Sequence, residues 1–297
     1  MSGGTAGRLA GRHLFVLGLG YAAQELARQA MAEGARVSGT TRDAGKADRL
    51  RAAGITILAP SDGGLPADAL AGVTDLLISV PPQAAGCPAL AMARTALQHA
   101  DALRWIGYLS STAVYGDCGG EWIDETRPPA PRGDDARARL LAEEEWRAAA
   151  RAAGAACDVL RIAGIYGPGR DRLASLREGK ARVIDKPGQV FNRIHRDDIA
   201  GAALAAMLSP AGERLTNLAD GQPCSSVEMM TGLADMLGLP APEITAHDPA
   251  ASAGPMAGFF AENRRIRNDR LRALPGFALR YPDWQAGYRA IIAAEAA

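Results

Sequence analysis

The feature that most constrains this chain is a short apolar run, HLFVLG (13–18), that breaks into Gly18-Leu19-Gly20-Tyr21-Ala22-Ala23 and passes at once into a helical stretch, Tyr21 to Glu33. The run is too short, and too broken by Gly18 and Gly20, for a signal-peptide core, and it reads as a first strand. The strand–helix unit then recurs. ARVSGT (35–40), ITIL (55–58), DLLISV (75–80), RWIGYLS (104–110) and CDVLRI (157–162) read as strands. Between them 43–53, 90–103 and 134–153 read as helices, the first with Asp43 placed to cap it. Short apolar strands alternating with helices bury their edges only in a parallel sheet covered on both faces. After Gly164 the pattern loosens into a helix at 198–208 capped by Asp198, a strand near 215–219, a helix at 226–237 and a Pro-rich tail ending in a helix over 284–294.

The predicted fold is therefore α/β: a doubly wound parallel sheet of the Rossmann type with a smaller C-terminal substrate lobe. Residues 1–12, Gly-rich and polar, read as a flexible N-terminus. Residues 13–165 form the dinucleotide-binding domain, with 190–220 returning to the sheet, and 166–189 with 221–297 form the substrate lobe. A length of 297 residues suits this division at about 150 per domain.

Composition closes off other classes. Hydrophobic residues make up 48%, enough for a core. Lys+Arg and Asp+Glu both number 33, and no local basic stripe offers to neutralise a nucleic-acid backbone. The longest uncharged stretch, 76–93, contains Pro81, Pro82, Gly86 and Pro88, so no membrane span is expected. Cys87, Cys118, Cys157 and Cys224 lie far apart without metal spacing. They read as reduced thiols of a cytoplasmic protein, and no metal site is expected.

In the glycine turn, Gly18 permits a tight bend, while Gly20 lets backbone N–H groups approach a diphosphate at a helix N-terminus. Ala23 serves close helix–strand packing, and Tyr21 and Ala22 complete the cofactor-facing turn. An NAD site wants Asp or Glu about 20 residues on. Here the second strand ends in Gly39-Thr40-Thr41-Arg42. Thr41 and the guanidinium of Arg42 suit a ribose 2′-phosphate, so NADP is expected ahead of NAD. Val80 and Pro81, ending the fourth strand, are expected beside the cofactor's central ribose.

Four segments in order, GLGYAA (18–23), LSSTAVYGD (109–117), LRIAGIYGPGR (160–170) and NRIHRDDIA (192–200), resemble the extended short-chain dehydrogenase/reductase superfamily of the NAD(P)-dependent epimerase/dehydratase type. Within it the chain looks most like an atypical branch with a GLGYxA start and an RYPDW segment at 280–284. The resemblance implies catalysis by a Ser or Thr after the fifth strand together with Tyr-x-x-x-Lys on the next helix, where the Tyr moves a proton and the Lys lowers its pKa. Ser111, four residues before Tyr115, matches the catalytic hydroxyl, and Thr112 is its neighbouring substitute. The helix pair is absent: no tyrosine lies between Tyr115 and Tyr166, and no lysine between Lys46 and Lys180. If Glu143 matches the family's helical Glu, Asp135 stands at the Tyr position and Arg139 at the Lys position, where Arg139 can still hold a ribose. Asp135 reads equally as a solvated helix charge.

Tyr115 is a surrogate acid or packs beneath its loop, and Tyr166 is implied near the nicotinamide end. His195 reads as a hydrogen-bonded structural residue and Arg161 as the partner of a carboxylate. The basic run 263–268 reads as a contact for an anionic substrate, as a solvated surface, or as a contact back onto the sheet. The expected function is NADP(H)-dependent oxidoreductase or epimerase chemistry on a small molecule, in a monomer or homodimer. The other reading is a catalytically degenerate dinucleotide-binding sensor or scaffold.

Overall fold

A computed structural model describes residues 7–59, 64–84, 86–248 and 260–296. The elements in chain order are β1 (His13–Leu17), α1 (Tyr21–Ala32), β2 (Arg36–Thr40), α2 (Ala44–Ala52), β3 (Thr56–Leu58), β4 (Asp75–Ile78), α3 (Pro88–Leu97) and β5 (Trp105–Ser111). A 3-10 turn (Thr112–Tyr115) leads to β6 (Trp122–Ile123), α4 (Asp134–Ala152), β7 (Ala156–Ile162), β8 (Gly164–Tyr166), α5 (Leu173–Arg177), β9 (Arg182–Asp185) and β10 (Arg193–His195). Then come α6 (Arg196–Leu208), β11 (Glu213–Leu218), α7 (Ser226–Leu237), β12 (Glu243–Ala246), β13 (Arg265–Ile266), α8 (Asp269–Arg272) and α9 (Trp284–Glu295).

Seven strands form the central sheet in the order β11-β7-β5-β4-β1-β2-β3, and every pairing is parallel. The order reverses between β1 and β4, so the crevice for a ligand opens at their C-terminal ends, where Leu17 is paired with Ile78. One face of the sheet is covered by α1 and α6, the other by α3 and α4, as the separate cores around Leu26 and Ala203 and around Trp146 and Ala93 show. The α1 and α6 faces are built largely from alanine (Ala23, Ala27, Ala30, Ala203, Ala206), all buried, which lets the helix backbones approach closely over the sheet.

The sheet and its helices follow the sequence pattern, with boundary shifts of a few residues. The exception is α3, which begins at Pro88, suited to a first helical turn, and ends six residues earlier than expected. Of the segment expected to be flexible, residues 1–6 lie outside the described residues. Residues 7–12 are tied down: Leu9 is fully buried, its N–H bonds to Glu33 O at 2.8 Å, and Arg12 pairs with buried Asp75. Beyond the sheet stand two-stranded pairs: β10 with β8; β12 with β9, beside a core of Leu173, Val183, Leu233, Trp284 and Tyr288; and β13 with β6, whose Ile266 and Ile123 pack instead with Val114 and Tyr115. Two- to four-residue strands carry too little alternation to be read from sequence.

Candidate functional site

Gly18 follows β1 with φ +86°, and a Cβ there would lie 2.7 Å from Val80 Cγ2. Only glycine fits both the conformation and the space. At Gly20 a Cβ would meet Ser79 Oγ at 3.3 Å. The turn is fastened to β2, because Leu19 N donates to Thr40 O at 2.8 Å and Gly18 N to Thr40 Oγ1 at 3.0 Å. Gly20 caps α1 without a side-chain bond, and no acid stands in the first helical turn. The leading amides of α1 thus meet no carboxylate of their own, and the helix dipole favours an anion before them. A side chain at either glycine would press on Ser79 and Val80 after β4, and the free leading amides of α1 fit a diphosphate. Ala22 and Ala23 are buried behind this cradle.

At the tip of β2, Thr40 is buried and Thr41 half-buried, its hydroxyl accepting from Asp43 N at 3.4 Å. Asp43 caps α2 by accepting Lys46 N at 2.8 Å, as expected. Arg42 is exposed, and no carboxylate among the described residues pairs with it. Val80 is half-buried against Gly18, while Pro81 is exposed at the crevice rim. Tyr21, the first residue of α1, donates its hydroxyl to Pro168 O at 2.9 Å, joining the start of the helix to the loop after β8.

The second group gathers at the end of β5. Ser111, half-buried, accepts Ala113 N at 3.1 Å and so keeps its own hydroxyl proton to donate. Thr112 is turned inward, its hydroxyl donating to Ile162 O at 3.5 Å. Arg139 on α4, half-buried, donates to Leu109 O at 3.0 Å, so its fork is anchored at the same strand end. Asp135 is exposed in the first turn of α4.

Tyr115 is not gathered with them. It is 1% exposed, and its hydroxyl donates to Asn217 Oδ1 at 2.8 Å while the Arg161 guanidinium lies 4.6 Å from its ring centroid. Burial raises its phenol above the usual range. Beneath it Ser110, Arg161 and Asn217 stand in one row across β5, β7 and β11. Glu143 of α4, fully buried, accepts Ser110 Oγ at 2.5 Å and the Arg161 fork at 3.0 and 2.7 Å. The carboxylate expected to pair with Arg161 is thus Glu143. Glu125 joins by accepting Asn217 N at 2.7 Å. Neither Glu125 nor Asn217 carries a local sequence signal of this role.

Tyr166 lies in the core formed with α5, α7 and α9, stacked on Tyr288 with centroids 5.1 Å apart and donating to Asp283 O at 3.3 Å. His195 also sits there, edge-on to Tyr166, and burial lowers its imidazole to about 4. His195, rather than Asp198, caps α6, accepting Asp197 N at 3.1 Å. Asp198 falls inside the helix and instead receives Arg280 N at 2.7 Å and Tyr281 N at 3.1 Å, because the tail folds back against it. The basic run turns onto β6 and its flanks: Arg264 donates to Gly116 O at 2.5 Å, Arg265 to Gly120 O, and Arg267 covers the Trp122 ring at 5.7 Å. Among the described residues no three metal-ligating side chains converge, and no helix is long and apolar enough to cross a membrane.

The model of the NAD dependent epimerase/dehydratase family matches residues 89–218. Protein YeeZ of Escherichia coli is 30% identical over 285 residues, covering 90% of this chain and 96% of that protein. A functionally unknown conserved protein from Silicibacter pomeroyi DSS shares 39% identity with a TM-score of 0.88, covering 95% of this chain and 99% of that one. A Methylobacillus flagellatus structure described as a candidate NAD-dependent epimerase/dehydratase shares 29% identity with a TM-score of 0.69, covering 97% of this chain and 100% of that one.

Proposed function

Since the chain belongs to the NAD dependent epimerase/dehydratase family, we propose that it binds NADP(H) and works as an oxidoreductase or epimerase on a carbonyl or hydroxyl carbon of a small, sugar-nucleotide-like substrate. The observation that carries the coenzyme choice is the tip of β2. Thr40, a neutral hydroxyl, occupies the Gly18 amide, and Arg42 stands free where a ribose carboxylate acceptor is wanted. Gly18, Gly20, Ala22 and Ala23 hold the diphosphate end, Thr41 and Arg42 the 2′-phosphate, and Val80 and Pro81 flank the central ribose. When bound, the nicotinamide supplies hydride acceptance or donation. Ser111 orients and polarises the substrate oxygen, and Arg139 offers its remaining N–H groups to the nicotinamide ribose.

A second reading has its own observation. The family's Tyr and Lys are missing from α4, and Tyr115 is sealed against Asn217, so the chain holds a dinucleotide as a sensor or scaffold without turning it over. Stopped-flow absorbance at 340 nm with pre-bound NADPH against sugar nucleotides, ketones and aldehydes separates the two. Oxidation by any member supports the enzyme; tight binding with no oxidation across the panel supports the sensor. NADH binding as tightly as NADPH would remove the coenzyme assignment.

A further inference from the structure

The loop after β8 is built as a rigid turn and is latched onto the start of α1. Gly167 and Arg170 exchange both backbone hydrogen bonds, at 3.2 and 2.9 Å, around Pro168 and Gly169, whose φ is +72°. The latch is the Tyr21 hydroxyl, 2.9 Å from Pro168 O. The approach is close enough that a Cβ on Gly167 would lie 2.6 Å from Tyr21 Oη and 3.2 Å from Arg196 Cβ. Two guanidinium groups flank the Tyr21 ring, Arg196 at 5.0 Å and Arg170 at 5.9 Å from its centroid. They differ in their partners. Arg196 is neutralised by Asp197 at 3.3 Å and Glu25 at 3.8 Å. Arg170 is exposed, and no carboxylate among the described residues pairs with it.

A cation is thus held at the end of a pinned turn, beside the uncapped helix terminus that the functional reading above fills with a diphosphate. The two positive sources reinforce each other, and without an anion each is left uncompensated. We propose that Arg170 is a diphosphate-binding residue of the dinucleotide site, and that the Tyr21–Pro168 hydrogen bond positions it by holding the 167–170 turn against α1. This rests on the proposed dinucleotide reading. It assigns to the loop a part that the glycine turn cannot supply, a charged fork that closes over the phosphates. Tyr21, the first helical residue after the two glycines, then serves as the clasp between cradle and clamp.

The test is coenzyme titration, by quenching of protein fluorescence or by calorimetry, on the full chain and on Arg170→Gln, Arg170→Lys and Tyr21→Phe, at low and high salt. Arg170→Gln is expected to weaken whichever nicotinamide coenzyme binds by roughly tenfold or more, and to make its affinity less salt-dependent. Arg170→Lys should recover part of the loss, and Tyr21→Phe should weaken binding less than Arg170→Gln. Thermal melting of Arg170→Gln should match the parent, because the side chain is exposed. If the parent binds coenzyme and Arg170→Gln binds it equally well, the clamp is overturned while the dinucleotide reading stands. If the parent binds neither coenzyme, that reading fails and takes the clamp with it.

Discussion

The Thr40 hydroxyl accepts the backbone N–H of Gly18 at 3.0 Å, joining the tip of the second strand to the glycine turn that follows the first. That half-buried donor is satisfied by a neutral group, and the next cation along the chain, Arg42, is left in solvent. Arg42→Ala is therefore expected to weaken NADPH by about tenfold to a hundredfold while leaving NADH nearly unchanged. Parallel fluorescence titrations with the two coenzymes check this, and equal losses for both would count against a 2′-phosphate role.

Gly18→Ala should abolish coenzyme binding and lower stability by roughly 1–2 kcal/mol or more. The replacement must take φ near +86° and push against Val80 at 2.7 Å. Urea midpoints measured beside coenzyme titration would show both effects in one variant.

Ser111→Ala and Tyr115→Phe are expected to separate chemistry from architecture. If the chain turns over substrate, Ser111→Ala should cut kcat by about a hundredfold with little change in melting temperature. Tyr115→Phe should retain turnover but lose about 1–3 kcal/mol of stability, because Asn217 Oδ1 is left buried without its donor. Loss of turnover in a fully stable Tyr115→Phe would restore Tyr115 as the acid.

Glu143→Ala strands the Arg161 charge among β5, β7 and α4. The pair is fully enclosed, with side-chain exposures of 3% and 0%, so the expected cost is roughly 3–5 kcal/mol. Glu143→Ala combined with Arg161→Met should recover much of that loss, and a double-mutant cycle on unfolding midpoints measures it.

Asp220 gives the pH dependence. Burial, with Asp283 and Asp198 nearby, raises its carboxyl to about 7 from an ordinary 3.8. The folded chain then binds this proton more tightly than the unfolded chain does. The contribution is fully present below pH 4 and is lost as pH rises towards 7. The histidines oppose it, since burial lowers His195 to about 4 and folded stability through that group falls on acidification. Asp220→Asn isolates the carboxyl: relative to the parent, the variant should gain stability on going from pH 4 to 7, by on the order of 3 kcal/mol in full. Paired urea titrations across that range give the difference directly, and parallel pH profiles would contradict it.

Much of the molecule was legible from its residues in order. The alternation of apolar strands with helices, the glycine turn after β1, the Asp43 cap and the carboxylate-free tip of β2 each depend on neighbours within one or two turns of chain. Such local preferences are written directly in spacing and residue type. Tertiary structure decided what touches what at long range. Tyr115 meets an asparagine 102 positions later, Asp198 receives backbone donors 82 and 83 positions on, and Tyr21 reaches 147 positions to Pro168. Sequence reasoning left Tyr115 open, as a surrogate acid beside an expected crevice or as a ring packed beneath its loop. Folding commits its hydroxyl to a buried group whose other members come from β5, β7, β11 and α4. A buried polar group must find a partner wherever the packed chain supplies one. That choice depends on which surfaces the sheet brings together, and no local pattern records it.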